Sequence, residues 1–187
     1  PGTYTLYYGY IDVSGNVSNT VSRTINVNAP DVTPPVVTLI GSGVVSGEYN
    51  TPYVDLGAEW SDNVDGTGTI TVASSGSVNT GALGSYTLEY TYVDAAGNTG
   101  SVTRTVDIVD TIVPVVTLSG SAVVNMMQSG SYVEEGATWT DEHDGAGFVA
   151  VASSGTLDVN TPGTYTLYYG YIDVSGNVSN VVSRTIN

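Results

Sequence analysis

The stretch GSYTLEYTYVDAAGNTGSVTRTVDI, residues 84–108, decides the fold. Its first ten residues alternate between apolar and polar side chains, which is the pattern of a β-strand with one buried face. The turn-forming run Asp94-Ala-Ala-Gly-Asn98 follows, with Gly97 and Asn98 suited to a positive φ. The run Val102–Ile108 then returns as a second strand. The stretch therefore predicts a β-hairpin that buries one face.

Copies of this hairpin occur on both sides of it. Residues 1–26 recur at residues 162–187, 161 positions further on, with Thr20 replaced by Val181 as the single change. The segments upstream of the hairpins also align: PVVTL occurs at 35–39 and again 79 positions later at 114–118. The elementary repeat is therefore about 80 residues long, and near-identical copies lie two repeats apart. The chain alternates two types of module.

The repeat length predicts the domain organisation. Residues 1–28 form the C-terminal part of an incomplete immunoglobulin-like domain, and residues 29–109 and 110–187, the first and second repeats, are complete domains. The start at Pro1 is expected to be a boundary within a longer array. Roughly seven short strands in each repeat predict an all-β chain of tandem β-sandwiches. In the first repeat the predicted strands are Val36–Ile40, Tyr53–Trp60, Thr69–Ala73, Tyr86–Val93 and Val102–Ile108, with weaker strand character across Gly76–Leu83.

Composition excludes several classes of function. The chain has 18 acidic residues against three arginines and no lysine, for a net charge of −15. Such a charge repels nucleic acid and anionic lipid, so neither partner is expected, and no segment is apolar enough to insert into a membrane. There is no cysteine and only one histidine. No Ser–His–Asp, cysteine or lysine nucleophile is therefore available, and enzymatic activity is not expected.

Four motifs carry a family resemblance. They are PPVVTL at 34–39, DLGAxWxDxxDG at 55–66, GxYxLxYxxxDxxGN at 84–98 and TRTV at 103–106. This pattern resembles the bacterial surface-protein Ig-like domain, which recurs in giant adhesins and is similar to hyalin-type repeats. The resemblance implies an extracellular position at the bacterial cell surface, a spacer role, and junctions between domains that are stiffened by calcium. The GxYxL run also resembles the tyrosine corner of immunoglobulin folds, with Leu88 where antibodies place a cysteine.

The acidic residues are predicted to cluster at the junctions between domains. In an immunoglobulin topology the incoming linker, the turn after the second strand and the turn before the last strand meet at one end of the sandwich. Four carboxylates would repel one another there unless a cation lay among them, and calcium takes six to eight oxygen ligands. The alternative is that each aspartate caps its own turn. The candidate calcium ligands are Asp31, Asp62, Asp65 and Asp94 at the first junction, and Asp110, Asp141, Asp144 and Asp173 at the second.

Two other sets of side chains are given structural roles. Each hairpin carries one arginine (Arg23, Arg104 or Arg184), which is predicted to pair with an acid of its own domain or to hold a carbonyl. Trp60 and Trp139 are predicted to cap the core between the sheets rather than to stack on a ligand.

Two functions remain in contention. One is a stiff spacer or fibre segment, such as an adhesin stalk or cell-surface filament, whose partners are the neighbouring modules of its own chain. The other is a binding module that recognises a glycan or a host or partner protein. Near-identical copies favour the spacer. An apolar outer stripe on alternate modules also predicts lateral self-association, whereas the first repeat has Glu89 and Val93 at the matching positions. The stripe consists of Tyr7, Ile11, Tyr168 and Ile172.

Overall fold

The structure, a computed structural model, describes all 187 residues and contains only strands and turns. The predicted all-β fold is confirmed. The structure holds no helix that could cross a membrane. Its strands are β1 (Gly2–Tyr8), β2 (Val21–Val27), β3 (Val36–Leu39), β4 (Val44–Glu48), β5 (Ala58–Asp62), β6 (Gly66–Ile70), β7 (Gly84–Val93), β8 (Thr99–Val109), β9 (Val115–Leu118), β10 (Val123–Val124), β11 (Ala137–Asp141), β12 (Gly145–Val149), β13 (Tyr165–Tyr169) and β14 (Val182–Ile186).

The chain divides into two compact units. The first consists of Pro1–Gly43, Asp55–Gly76 and Leu88–Arg104, and the second of the remaining residues up to Asn187. Strands β7 and β8 each contribute residues to both units, so the units do not follow the sequence repeat. The predicted domain boundaries after residues 28 and 109 stay predictions.

The second unit contains a β-sandwich built from the second repeat. In one sheet β11 lies between β9 and β12, and both pairings are antiparallel. In the other sheet β14 lies between β13, which is antiparallel to it, and β10, which is parallel. The two sheets bury a common apolar core, and this packing of two inner faces defines a sandwich. The core residues are Val116, Ala137, Leu167, Tyr169 and Ile186.

The first repeat has the same strand order. Strand β5 lies between β3 and β6 in one sheet, and β8 lies between β4 and β7 in the other. In the first unit the N-terminal hairpin β1–β2 pairs antiparallel with itself from Gly2 opposite Val27 to Tyr8 opposite Val21. All of its residues are exposed.

Three of the predicted strands are misplaced. The second strand begins at Ala58 rather than Tyr53, and the third spans Gly66–Ile70 rather than Thr69–Ala73. Gly57 accounts for the later start of the second strand. It has a φ of 79°, and its backbone is so close to Ile70 that a Cβ would lie 2.3 Å from the carbonyl oxygen of Ile70. This break separates residues 53–56 from the strand. No strand forms across Gly76–Leu83, and the parallel strand β4 was not predicted.

The predicted tyrosine corner is confirmed in both repeats. The hydroxyl of Tyr86 donates a hydrogen bond to the carbonyl oxygen of Ala82 at 2.8 Å. Tyr165 donates in the same way to Thr161, also at 2.8 Å. Each bond ties the start of a hairpin strand to the chain four residues upstream, as immunoglobulin folds do at this corner.

The two tryptophans lie between packed partners. The Trp60 ring stacks on Tyr92, with centroids 3.6 Å apart, and it covers Gly68, whose Cβ would lie 2.6 Å from the indole nitrogen. Trp139 stacks on Tyr171 at 4.0 Å and packs against the buried core of the second repeat. The prediction that the ring caps the core is confirmed for Trp139. Stacking on a ligand is disfavoured for both rings because a tyrosine already occupies that position.

Candidate metal centres

The turn after the second strand is held by one oxygen of an aspartate. In the first unit, Oδ1 of Asp62 accepts the backbone N–H groups of Val64 at 2.8 Å and Asp65 at 2.9 Å. In the second unit, Oδ1 of Asp141 accepts the corresponding N–H groups at the same two distances. Short polar side chains commonly cap turns in this way. The alternative prediction, that each aspartate caps its own turn, is therefore correct for one oxygen of Asp62 and one of Asp141.

The turn before the last strand is held by an aspartate and an asparagine. Asp94 accepts the backbone N–H of Asn98 at 2.7 Å and its side-chain amide at 2.8 Å. The same amide reaches the carbonyl oxygen of Asp31 in the incoming linker at 3.3 Å. Burial acts to raise the pKa of Asp94, but the hydrogen bonds from Asn98 outweigh it and leave the pKa below its usual value. The buried carboxylate is therefore kept ionised.

The second unit repeats this turn. Asp173 accepts the backbone and side-chain groups of Asn177 at 2.7 and 2.9 Å, and the amide also donates to the carbonyl oxygen of Asp110 at 3.1 Å. The sequence analysis missed the role of both asparagines and assigned Asn98 a positive φ, which only Gly97 adopts. Asn is the fifth residue of this turn in all three hairpins, and that recurrence could have indicated its role.

Three of the four acids predicted for each junction converge. One carboxylate oxygen from each of Asp31, Asp62 and Asp94 lies within 4.8 Å of the other two. The equivalent set in the second unit is Asp110, Asp141 and Asp173. The three members of each set come from the linker and from two separate turns, as the topology predicted.

The fourth acid of each set lies beside the cluster and links the two turns. Oδ2 of Asp65 accepts the backbone N–H of Ala95 at 2.6 Å, and Oδ2 of Asp144 accepts that of Val174 at 2.8 Å. These oxygens hold one turn against the other. Their assignment as calcium ligands stays a prediction.

One oxygen in each cluster has no hydrogen-bond partner. Oδ2 of Asp62 and Oδ2 of Asp141 are both buried, and no donor reaches either atom. A buried charged oxygen without a partner is costly, and the neighbouring carboxylates cannot donate. A cation would satisfy it. An all-oxygen set of carboxylates fits calcium, whereas zinc would favour nitrogen or sulfur ligands.

The second cluster is more polar than the first. The hydroxyl of Ser175 donates to Asp110 at 3.0 Å, and Nδ1 of His143 lies 2.9 Å from Asp144 and 3.8 Å from Asp110. In the first repeat these two positions hold Ala96 and Val64. The two centres are therefore alike in their carboxylates and different in the groups around them.

The N-terminal hairpin has the same turn without the cluster. Asp12 accepts the backbone and side-chain N–H groups of Asn16, both at 2.8 Å, although the turn is exposed. The turn geometry therefore does not require neighbouring acids, and the convergence of three carboxylates is an additional feature of the two complete repeats.

Comparison with known proteins places these features in a family. The sequence profile described as "Bacterial surface protein, Ig-like domain" matches residues 37–108 and 116–187. Hyalin of Strongylocentrotus purpuratus is 35% identical over 189 residues, which cover 94% of this chain and 15% of that protein. Hyalin of Lytechinus variegatus is 26% identical over 198 residues, covering 100% and 36%. The chain thus spans little more than a third of these relatives at most.

A solved structure is also similar over most of its length. It is a lipoprotein of Bacteroides thetaiotaomicron, which covers 81% of this chain and 98% of its own, with a TM-score of 0.35 and 15% sequence identity.

Proposed function

Because the chain belongs to the bacterial surface-protein Ig-like domain family, we propose that it is a structural spacer segment whose module junctions are stiffened by calcium. The family predicted from the sequence is confirmed. The family and the likeness to hyalin support a non-enzymatic module of a surface protein. Its place in an adhesin stalk or filament on the outside of a bacterial cell is the more specific part of the proposal.

Near-identity of distant copies supports the spacer over the ligand-binding alternative. Residues 1–26 and 162–187 differ at one position although a whole module separates them. A recognition surface would be needed once, whereas a spacer repeats the same structure to gain length. Among the aromatic groups, Trp60 and Trp139 are already stacked on tyrosines and do not offer a platform for a sugar ring.

The unpartnered oxygens of Asp62 and Asp141 carry the calcium part of the proposal. At the first centre Asp31, Asp62 and Asp94 would hold the ion, and at the second Asp110, Asp141 and Asp173 would do so. A bound divalent cation would supply positive charge among three carboxylates. Each set joins the linker to two turns of the following repeat, so closing the set fixes the direction in which the linker enters.

Calorimetric titration with calcium chloride tests this proposal. We expect two sites per chain, with dissociation constants of about 10⁻⁴ to 10⁻³ M as in other extracellular modules. Asp62→Asn should remove one site, because the amide keeps the Oδ1 turn cap but lacks the charge. Asp12→Asn is the matched control, since it alters the same kind of turn in the hairpin and should leave both sites intact. Two unchanged sites in Asp62→Asn, or no binding at millimolar calcium, would overturn the proposal.

Lateral association between copies is a second proposal, supported by the exposed stripe. Tyr168 is 44% exposed and Ile172 61% exposed, and their counterparts Tyr7 and Ile11 in the hairpin are exposed as well. In the first repeat the matching position is Glu89, whose carboxylate accepts a hydrogen bond from a serine. Alternate modules would thus present an apolar surface to a second copy.

Sedimentation velocity tests the lateral contact. The chain should show concentration-dependent association that Tyr168→Glu with Ile172→Glu abolishes. Val115→Glu, at a residue that is 55% exposed on β9 in the other sheet, should not change it. A monomeric chain at all concentrations, or association that survives the double change, would refute the proposal.

A further inference from the structure

Within the second unit, the end of β4 contacts the linker of the following repeat. The carboxylate of Glu48 accepts hydrogen bonds from the backbone N–H of Thr111 at 2.9 Å and from its hydroxyl at 2.6 Å. Burial acts to raise the pKa of Glu48, but these bonds from Thr111 hold it below its usual value. The carboxylate is therefore charged and satisfied.

The next two residues continue this junction. The ring of Tyr49 meets the ring of His143 edge to face, with centroids 4.7 Å apart. The side-chain amide of Asn50 donates to the carboxylate of Glu142 at 2.9 Å. The junction from the first repeat to the second thus joins three consecutive residues to three polar partners.

The junction from a module of the second type to a module of the first type has different residues at all of these positions. At the C-terminal end of the second repeat, 79 positions later, Glu48, Tyr49 and Asn50 are replaced by Met127, Gln128 and Ser129. At the N-terminal end of the first repeat, Thr111, Glu142 and His143 correspond to Val32, Asn63 and Val64.

The first pair of the junction from the first repeat to the second has a counterpart that is apolar on both sides. The polar pair Glu48 and Thr111 corresponds to Met127 and Val32. All of the replacement residues are exposed: Met127 is 86% exposed and Val32 74%. In contrast, Glu48 is half-buried where its neighbour is present.

The sequence itself shows which module follows the second type. Residues 1–26 match 162–187, and they run directly through 27–31 into the first repeat. A hairpin of the second type is therefore followed by a module of the first type. The surface that meets Met127 in an array is the one that carries Val32 and Val64.

We propose that the C-terminal end of the second repeat, formed by Met127, Gln128 and Ser129, is a docking surface for the N-terminal end of a module of the first type. Met127 packs on Val32, and Gln128 lies against Val64. This inference rests on the proposed spacer array and adds that the two kinds of junction are not interchangeable.

Concave surfaces are present at both ends. Met127 and Gln128 line a groove of about 120 Å³ together with Leu157 and Pro162. Val32 and Val64 line a second groove of about 480 Å³ at the N-terminal end of the first repeat. Both grooves combine apolar side chains with amides, and each also contains one aspartate, Asp158 in the first and Asp31 in the second.

Incorrect orders remove hydrogen bonds from the junction. Two successive modules of the first type would place the Glu48 carboxylate against Val32, which keeps a backbone N–H but has no hydroxyl. Two successive modules of the second type would place Met127 on Thr111 and leave Glu142 without the amide of Asn50. Losing a hydrogen bond to a partly buried carboxylate is unfavourable, so the junctions discriminate through what they reject as well as what they bind.

Cross-linking in a doubled chain tests the docking surface. Because residues 1–26 repeat at 162–187, joining residues 1–187 to residues 27–187 reproduces the natural connection. The chain has no cysteine, so pairs can be introduced without background. The test pair is Met127→Cys in the first copy with Val32→Cys in the second, treated with a short bismaleimide. The reference pair is Tyr49→Cys with His143→Cys, both in the first copy. The control pair is Met127→Cys in the first copy with Val54→Cys in the second.

The test pair should cross-link as fully as the reference pair and at least tenfold more than the control pair. Cross-linking of the test pair only at the control level would overturn the docking surface. Repeating the reaction with chelator separates this inference from the calcium proposal. Full cross-linking in a chain that binds no calcium would support the docking surface and reject the metal, and calcium binding with control-level cross-linking would do the reverse.

Discussion

At the scale of single residues, two buried arginines do what the sequence predicted. Arg104 is 1% exposed, forms an ion pair with Asp55 at 2.6 Å, and donates to the carbonyl oxygens of Ser42 at 3.1 Å and Ile40 at 2.5 Å. Arg184 pairs with Glu134 and donates to Ser121 at 3.0 Å. Each guanidinium thereby joins chain segments that lie far apart in sequence.

Removal of Arg104 is expected to destabilise the protein strongly. Arg104→Met would remove the ion-pair partner of Asp55 and the donor to the two partly buried carbonyls, a loss of about 3–5 kcal/mol for breaking a buried pair. Urea denaturation measures it. Arg23→Met, in an exposed copy of the same motif, should change stability by less than about 0.5 kcal/mol. Equal effects of the two substitutions would contradict this assignment.

Glu134 should make the second repeat sensitive to acid. Burial acts to raise its pKa, but the hydroxyl of Tyr132 and the charge of Arg184 hold the pKa below its usual value. The unfolded carboxyl titrates near about pH 4.3. Above the pKa of the unfolded state, Glu134 contributes its full stabilisation. As the pH falls below that pKa, the unfolded state takes up the proton first, and the stabilisation is lost until the pH has passed the lower pKa of the folded state.

Melting temperatures measured from about pH 6 down to about pH 3, the range in which carboxyl groups titrate, would show this dependence. Glu134→Gln should flatten the acid limb of the profile. Glu135→Gln is the control, because that carboxylate is 57% exposed and 3.9 Å from Arg184. An unchanged acid limb in Glu134→Gln would show that other carboxyls cause the loss.

At the scale of elements, the pairing of β11 with β12 depends on a glycine. Trp139 lies directly opposite Gly147, and a Cβ there would come within 2.6 Å of three atoms of the indole ring. The ring can lie flat over the strand and stack on Tyr171 only because this position has no side chain. Strand β6 has the same arrangement at Gly68.

Gly147→Ala should displace the Trp139 ring and weaken the second repeat. Overpacking of this kind costs about 1–3 kcal/mol, and near-ultraviolet circular dichroism should lose the signal of the stacked pair. Gly163→Ala is the matched control, because its Cβ would make only ordinary contacts, the nearest at 3.7 Å. If both variants melt together with unchanged dichroism, the close approach is not structurally important.

At the scale of the whole molecule, the net charge of −15 and the two carboxylate clusters act together. Six of the 18 acidic side chains belong to the clusters, so divalent cations would neutralise charge where the carboxylates are closest. With no disulfide in the chain, such ions would be a large contribution to a marginal stability.

Chelation should therefore lower the melting temperature and broaden the distances measured by small-angle scattering. At a free calcium concentration about 100 times the dissociation constant, each independent site adds roughly 2.7 kcal/mol. Asp62→Asn with Asp31→Asn should reproduce half of the effect. Identical melting curves and scattering profiles with and without chelator would show that the acids serve only as turn caps.

The sequence by itself determined the repeat, the all-β class, the family and the tyrosine corner. These features are recorded locally, in the alternation of residues 86–93 and in motifs that recur about 80 positions apart. It also indicated which acids meet at each junction, because strand direction in a sandwich brings the linker and two turns to one end.

The tertiary structure alone decided which oxygens are used and which are left over. Asp65 and Asp144 link turns, while Asp62 and Asp141 each keep one buried oxygen without a donor. It also decided the position of β4, whose pairing with β8 joins residues about 60 apart in the chain. The physical reason is the same in both cases. Packing between segments that are distant in sequence decides which donors come within hydrogen-bond distance of each oxygen. A local sequence pattern does not specify those distant neighbours.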